Sequence, residues 1–249
     1  GGRAGQPFGA TLPIAALGGL PLTATVAISG IVTVRPSVLR KNALYVQDAS
    51  AGVMILLKSK VEWPALEPGQ RIMVRGKRST YHGEQQLKVN TLADLVLVSG
   101  GKAVPPASTS GAAITLAQVG RLVQVRGTYL KAAGRDLLIR TSDGATVRLH
   151  PPTGMKKPRY RKGAPISAVG IVGRYDSTVR IQLRGLPDLG IVGGLPDTGA
   201  ADLPRGWWRW LAGLLLVAGA GLRLRARRQS IRRTTGESAP RPGGRSPAG

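Results

Sequence analysis

Histidines and acids come first, because a nucleophile–base pair, paired carboxylates or a metal site would be built from them. The 249-residue chain carries two histidines, twelve acids and no cysteine. His82 and His150 stand in different halves of the chain, and neither lies in a cluster with metal-ligand spacing. Without cysteine there is no disulfide, no thiolate zinc site and no thiol nucleophile. Gly-rich stretches such as Leu17-Gly18-Gly19-Leu20 do not open a phosphate-binding helix. The expectation is a protein with no catalytic residue, no metal and no cofactor. The first residue is Gly1, so the chain reads as a fragment or processed product whose active domain lies upstream.

What the chain has in excess is cation. The formal net charge is +24. Residues 201–249 hold ten Arg and two acids, and residues 1–200 hold 26 basic and 10 acidic residues. The surplus is therefore not confined to a tail. A basic folded region implies a polyanion: nucleic acid, wall polymer or anionic lipid. Cations for phosphates and aromatics for bases would form such a site. The candidates in the first half are Arg35, Arg40, Lys41, Tyr45, Lys58, Arg75, Lys77, Arg78 and Tyr81. In the second half they are Arg126, Tyr129, Lys131, Arg140 and Arg148, then the run at 155–162 with Lys156, Lys157, Arg159, Tyr160, Arg161 and Lys162. Tyr175 is a further stacking ring. Aromatics are only 4% of residues, so contact is expected to be electrostatic, sequence-tolerant and salt-sensitive.

The elements that must position these groups repeat. Glu67–Gly100 aligns with Arg161–Gly194 at a constant offset of 94: Ile72 meets Ile166, Gly76 meets Gly170, Tyr81 meets Tyr175, and Asp94 meets Asp188. The repeated aspartates read as turn or cap residues. Upstream, Gly30 corresponds to Gly127. Two modules follow, 20–100 and 113–194, with a lead-in linker at 1–19 and a Pro/Gly/Ser-rich linker at 101–112. Within each, the pattern is strand-like. In the run 43–48, Leu44 and Val46 fall on one face and Tyr45 and Gln47 on the other. Counterparts run through five strands per module, with room for a short helix or loop between the third and fourth.

Five strands, a glycine in the first and a glycine-bounded fourth strand resemble the OB-fold. The set G-x-V…LYVQD…L-x-x-G-x-x-I-x-V-x-G…Y-x-G-x-x-Q-L is similar to OB modules of exported bacterial nucleases and related surface proteins. The second module departs from it with Arg140-Thr141-Ser142-Asp143 at the end of its second strand. The resemblance implies all-β, tandem five-stranded OB-fold-like barrels that bind single strands or sugars on strands two and three.

The C-terminal segment reads differently. Leu195-Pro196-Asp197-Thr198-Gly199 precedes a Trp-flanked apolar run, Trp207–Leu222, and then six Arg between 223 and 233. Sixteen residues span about 24 Å as a helix, short for a bilayer core of about 30 Å, but interfacial Trp and snorkelling Arg extend it. The basic side is placed in the cytoplasm by the positive-inside rule. This order resembles the LPxTG sorting signal of Gram-positive surface proteins. It implies a transmembrane helix at 207–222, a disordered basic cytoplasmic tail at 223–249, sortase as a partner, and residues before Trp207 outside the membrane, in the cell wall after cleavage. The expected function is a surface-anchored, non-catalytic nucleic-acid-binding module that presents its ligand to an upstream nuclease. The alternatives are a structural spacer or stalk and, less favoured because only Trp63 lies outside the anchor, a carbohydrate-binding module.

Overall fold

The computed structural model describes residues 8–58 and 62–192. The LPDTG motif, the apolar run at 207–222 and the basic tail lie outside the described residues. Among the described residues, no helix is long and apolar enough to cross a membrane.

The chain is all-β. In the first half, β1 (Thr25–Val34), β2 (Ala43–Gln47), β3 (Gly52–Leu57), β4 (Arg71–Tyr81) and β5 (Glu84–Val89) pair in the order β1-β2-β3-β5-β4, and β4 pairs back on β1. The ring is therefore closed, which removes the free sheet edges that would invite pairing with another chain. β6 (Leu95–Ser99) adds to β4 from outside. The second half adds β7 (Ala107–Ser108), β8 (Leu122–Ala133), β9 (Asp136–Thr141), β10 (Thr146–His150), β11 (Pro165–Tyr175), β12 (Thr178–Gln182) and β13 (Leu189–Ile191). Here β8, β9, β10, β12 and β11 follow one another and β11 pairs back on β8. Strand order and the parallel pairs β3–β5 and β10–β12 correspond between the halves and are consistent with two OB-fold barrels.

Alternation fills each barrel. Ile28, Val32, Leu44, Val46, Val53, Ile55, Ile72 and Leu87 point into the first, and Val123, Val125, Leu137, Ile139, Leu149, Ile166 and Ile181 into the second. The first barrel is plugged by residues that sequence alone assigns to a lead-in linker. Ile14 and Leu17, on a short 3-10 helix at Ile14–Gly19, are 1% and 0% exposed. Between β3 and β4 no helix is described, and Leu66 and Trp63 pack on the core from an irregular segment.

The turn aspartates explain how the lead-in segments are held. In the β2–β3 turn, Asp48 accepts from the backbone N–H groups of Ser50 and Ala51, and its other oxygen takes Ile14 N–H at 2.8 Å. In the β9–β10 turn, Asp143 accepts from Ala145 N–H and takes Ala112 N–H at 2.8 Å. Each module thus clamps the stretch of chain that leads into it. Asp94 and Asp188, the repeated pair, sit in 3-10 turns and hold Arg75 and Arg184 at 2.8 and 2.7 Å.

The barrels share a third apolar cluster. Val34, Ala43, Tyr45 and Met54 of the first pack against Leu122 and Ile171 of the second, with Leu56 and Val169 at its margin. At its edge Gly52 and Gly120 meet backbone to backbone, an approach closer than any side chain would permit. Arg121 donates to the carbonyls of Ala49 and Ser50, Leu122 N–H to Gln47 Oε1 at 2.9 Å, and Arg184 to Thr33 O at 3.1 Å. The 101–112 segment is tied down as well, with β7 laid parallel on β8.

Candidate nucleic-acid interface

Equivalent strands of the two barrels present opposite surfaces. In the first barrel, the outward residues of β2 and β3 are Ala43, Tyr45, Met54 and Leu56, and the second barrel covers them. Tyr45 is 2% exposed. Its hydroxyl donates to Glu84 Oε1 at 2.7 Å, and Gln182 Nε2 donates to that hydroxyl at 3.4 Å. The other Glu84 oxygen takes Arg174 N–H at 3.1 Å. Burial lifts the Tyr45 hydroxyl well above its ordinary range, and the Glu84 charge and hydrogen bond add to that. Burial also lifts the Glu84 carboxyl, against the Tyr45 and Arg174 hydrogen bonds and the charges of Arg180 and Arg40. Tyr45 therefore presents no face to a base. Its outward position on β2 makes it a stacking candidate in sequence, but the outward side of that strand is covered.

In the second barrel the same face is open. Cross-strand pairing sets Thr128 beside Arg140 and Arg140 beside Thr146; one row along, it sets Lys131 beside Leu138 and Leu138 beside Arg148. Arg140, Arg148 and Lys131 are exposed, as is Arg126 two residues before Thr128 on β8. One carboxylate faces them: Asp136 lies 3.4 Å from Arg148 Nη1 and accepts from His150 Nδ1–H at 2.6 Å. Arg180 Nη1 comes within 3.4 Å of that same nitrogen. Since Nδ1–H donates to Asp136, the Arg180 approach is a contact and not a second hydrogen bond.

The basic run 155–162 borders this face. Lys157 donates to Gly134 O at the tip of the β8–β9 hairpin, Arg135 to Thr153 at 3.2 Å, and Gly163 N–H to Tyr129 O at 2.8 Å. Lys156, Arg159, Arg161 and Lys162 are exposed along the run. Tyr129 and Tyr160 lie 5.6 Å apart, half-buried against the barrel core, and burial raises the Tyr160 hydroxyl. They anchor the loop to the barrel.

First-barrel cations do not converge. Arg35 pairs with Glu67 at 3.6 Å, Arg75 with Asp94, and Arg78 donates to Leu20 O at 2.5 Å and Gly18 O at 3.3 Å. Lys41, Lys58 and Lys77 are exposed on three separate segments. Arg40 lies 3.6 Å above the Tyr81 ring.

Across the seam stands a pairing that sequence reasoning misses. His82 and Asp176 occupy equivalent positions in the repeat, and their Nδ1 and Oδ1 atoms are 3.0 Å apart. Asp176 N–H also donates to His82 O at 2.8 Å. The repeat offset is the signal, because it places both residues in equivalent hairpins; it says nothing of whether the two hairpins meet. No hydroxyl hydrogen-bonds either imidazole among the described residues, nor do three His, Asp or Glu gather there for a metal.

The described residues thus form two closed barrels, the second with an open basic face. No family model and no curated protein matches the chain. Among solved structures it is similar to a murine DNA-binding protein bound to double-stranded DNA, at 12% identity and a TM-score of 0.36, covering 69% of this chain and 98% of that one. It is also similar to a replication protein A heterotrimer bound to single-stranded DNA (12% identity, TM-score 0.31, 80% and 55% covered). A third is a single-stranded DNA-binding protein from Thermus aquaticus (13%, 0.25, 74% and 100%).

Proposed function

We propose that the chain is a non-catalytic nucleic-acid-binding module whose ligand lies on the open β8–β9–β10 face of the second barrel and the adjoining 155–162 loop. The observation that carries this reading is the contrast between equivalent faces. The first is apolar and sealed; the second sets Lys131, Arg140 and Arg148 on adjacent strands in solvent. Cations spaced along neighbouring strands suit a chain of phosphates, whose binding releases condensed counterions. The first barrel then serves as a support that fixes the second.

The test is binding of a fluorescent oligonucleotide to the full chain across a salt series. Micromolar binding that falls steeply with salt, and that drops when Lys156, Lys157, Arg159 and Lys162 are made neutral together, supports the reading. Absence of binding at low salt refutes it. The sealed seam favours a second reading, in which the paired barrels are a stiff spacer, and that role is indifferent to these substitutions.

Anchoring is part of the same proposal and rests on sequence: LPDTG, the apolar run and the basic cluster in that order. Its check is fractionation of cells carrying the protein with and without Thr198→Ala. Wall attachment that vanishes in the variant supports sortase processing; retention in the membrane fraction in both leaves a plain membrane anchor.

A further inference from the structure

The seam holds an aromatic ladder that the basic face does not explain. Tyr81 and Tyr175, equivalent in the repeat, stand on either side of His82. The Tyr175 ring stacks on His82 with centroids 4.0 Å apart and planes 19° apart, and Tyr81 meets His82 edge-on at 4.3 Å. An arginine caps each end: Arg40 lies 3.6 Å over Tyr81 and Arg180 lies 5.3 Å over Tyr175. Both tyrosines remain well exposed, at 41% and 42%. Each capping arginine has one buried guanidinium nitrogen, Arg40 Nη1 and Arg180 Nε, with no hydrogen-bond partner. Rings this exposed in a chain with so few aromatics are not there for the core.

The ladder is also continuous with the basic face. Arg180 touches His150, and His150 is hydrogen-bonded to Asp136 beside Arg148. A strand whose phosphates follow Arg140 and Arg148 has its next nucleotides at the seam.

We propose that this seam is a stacking platform for the unpaired bases of a single-stranded nucleic acid, continuing the path laid down by the second barrel. The inference rests on the nucleic-acid reading above and adds that the ligand is single-stranded. A base arriving at a tyrosine stacks on the exposed part of the ring and takes the place of the arginine there. The displaced guanidinium then meets the adjoining phosphate. A duplex keeps its bases stacked on each other and gains nothing from the ladder.

The test compares three probes of equal phosphate count on the full chain: a single-stranded oligonucleotide, an abasic strand and a duplex. The expected result is that the normal strand binds about tenfold or more tighter than the abasic strand. Tyr81→Ala with Tyr175→Ala removes that preference, and Tyr81→Phe with Tyr175→Phe keeps it, which separates stacking from damage to the seam. Arg140→Gln with Arg148→Gln weakens both strands alike and leaves the ratio intact. Equal binding of normal and abasic strands by the unaltered protein, or tighter binding of the duplex, overturns the ladder proposal alone. Failure of every probe to bind overturns the nucleic-acid reading and the ladder with it.

Discussion

The Tyr45 hydroxyl donates to Glu84 Oε1 at 2.7 Å, and both residues are buried where one barrel meets the other. Arg174 N–H and Gln182 from the second barrel complete the set. Tyr45→Phe leaves a buried carboxylate one donor short, which costs about 1–3 kcal/mol. Urea unfolding of the full chain checks this. A midpoint unchanged within error would show that the seam does not depend on the pair.

Glu84 also sets a pH dependence. Burial raises its folded pKa above the ordinary 4.5, despite its hydrogen bonds. Between 4.5 and that raised value the folded state holds a proton that the unfolded state releases, so this group adds stability as pH falls through the window. The turn aspartates act in the opposite sense. Burial of Asp48 is outweighed by hydrogen bonds from Ser50, Ile14 and Ala51, which lowers it; Asp143 is brought down to about 2 by Thr141, Ala112 and Ala145. Their contribution is complete above 3.8 and is lost as pH falls below that value. Thermal midpoints should therefore rise as pH falls through the Glu84 window toward 4.5 and then collapse below about pH 4. In Glu84→Gln the rise should disappear and the collapse remain.

Arg140 and Arg148 lie on the adjacent strands β9 and β10 of the open face, both exposed, with Arg148 also 3.4 Å from Asp136. For a single strand, removing one phosphate-binding cation lowers the slope of log affinity against log salt by about 0.7. Arg140→Gln with Arg148→Gln should then flatten the slope by about 1.4. Anisotropy titrations at four salt concentrations measure it. An unaltered slope would place the phosphates elsewhere.

How much of this is legible in the sequence differs by residue. The alternation around Leu44, Val46, Leu137 and Ile139 reveals the inward faces, because a strand in a barrel alternates whatever lies outside it. The offset of 94 pairs Tyr81 with Tyr175 and Asp94 with Asp188 without any structure. Tyr45 misleads for the same reason alternation succeeds: an outward position does not say whether solvent or another barrel lies beyond. The clue is composition. All five residues of β2 are buried, and its neighbour reads GVMILL, an apolar run on both faces, whereas β9 and β10 carry Arg140 and Arg148 outward. Arg174 and His82 are not legible as seam residues, because they meet partners from across the seam: Arg174 donates to Gly83 O, and His82 meets Asp176, 94 positions away in the chain.

Gly52 and Gly120 offer the sharpest test of that packing. A Cβ on Gly52 would collide with the Gly120 carbonyl, and a Cβ on Gly120 with the Gly52 carbonyl. Neither obstacle is the flexible end of a side chain, so the barrels must move apart. Gly52→Ala should destabilise the chain by about 1–3 kcal/mol through this overpacking. Gly120→Ala should cost more, because Gly120 also has φ +88°, a conformation that adds about 1–2 kcal/mol for a residue with a Cβ. Separation exposes Tyr45, Met54 and Leu122, so limited proteolysis of the 101–112 segment should quicken and a hydrophobic dye should bind. Both barrels keep their own cores, so their far-ultraviolet dichroism should hold while the dye signal rises. Two variants as stable and as protease-resistant as the parent would mean the backbones can slide past each other, and that the face of the first barrel is less firmly sealed than Tyr45 and Glu84 imply.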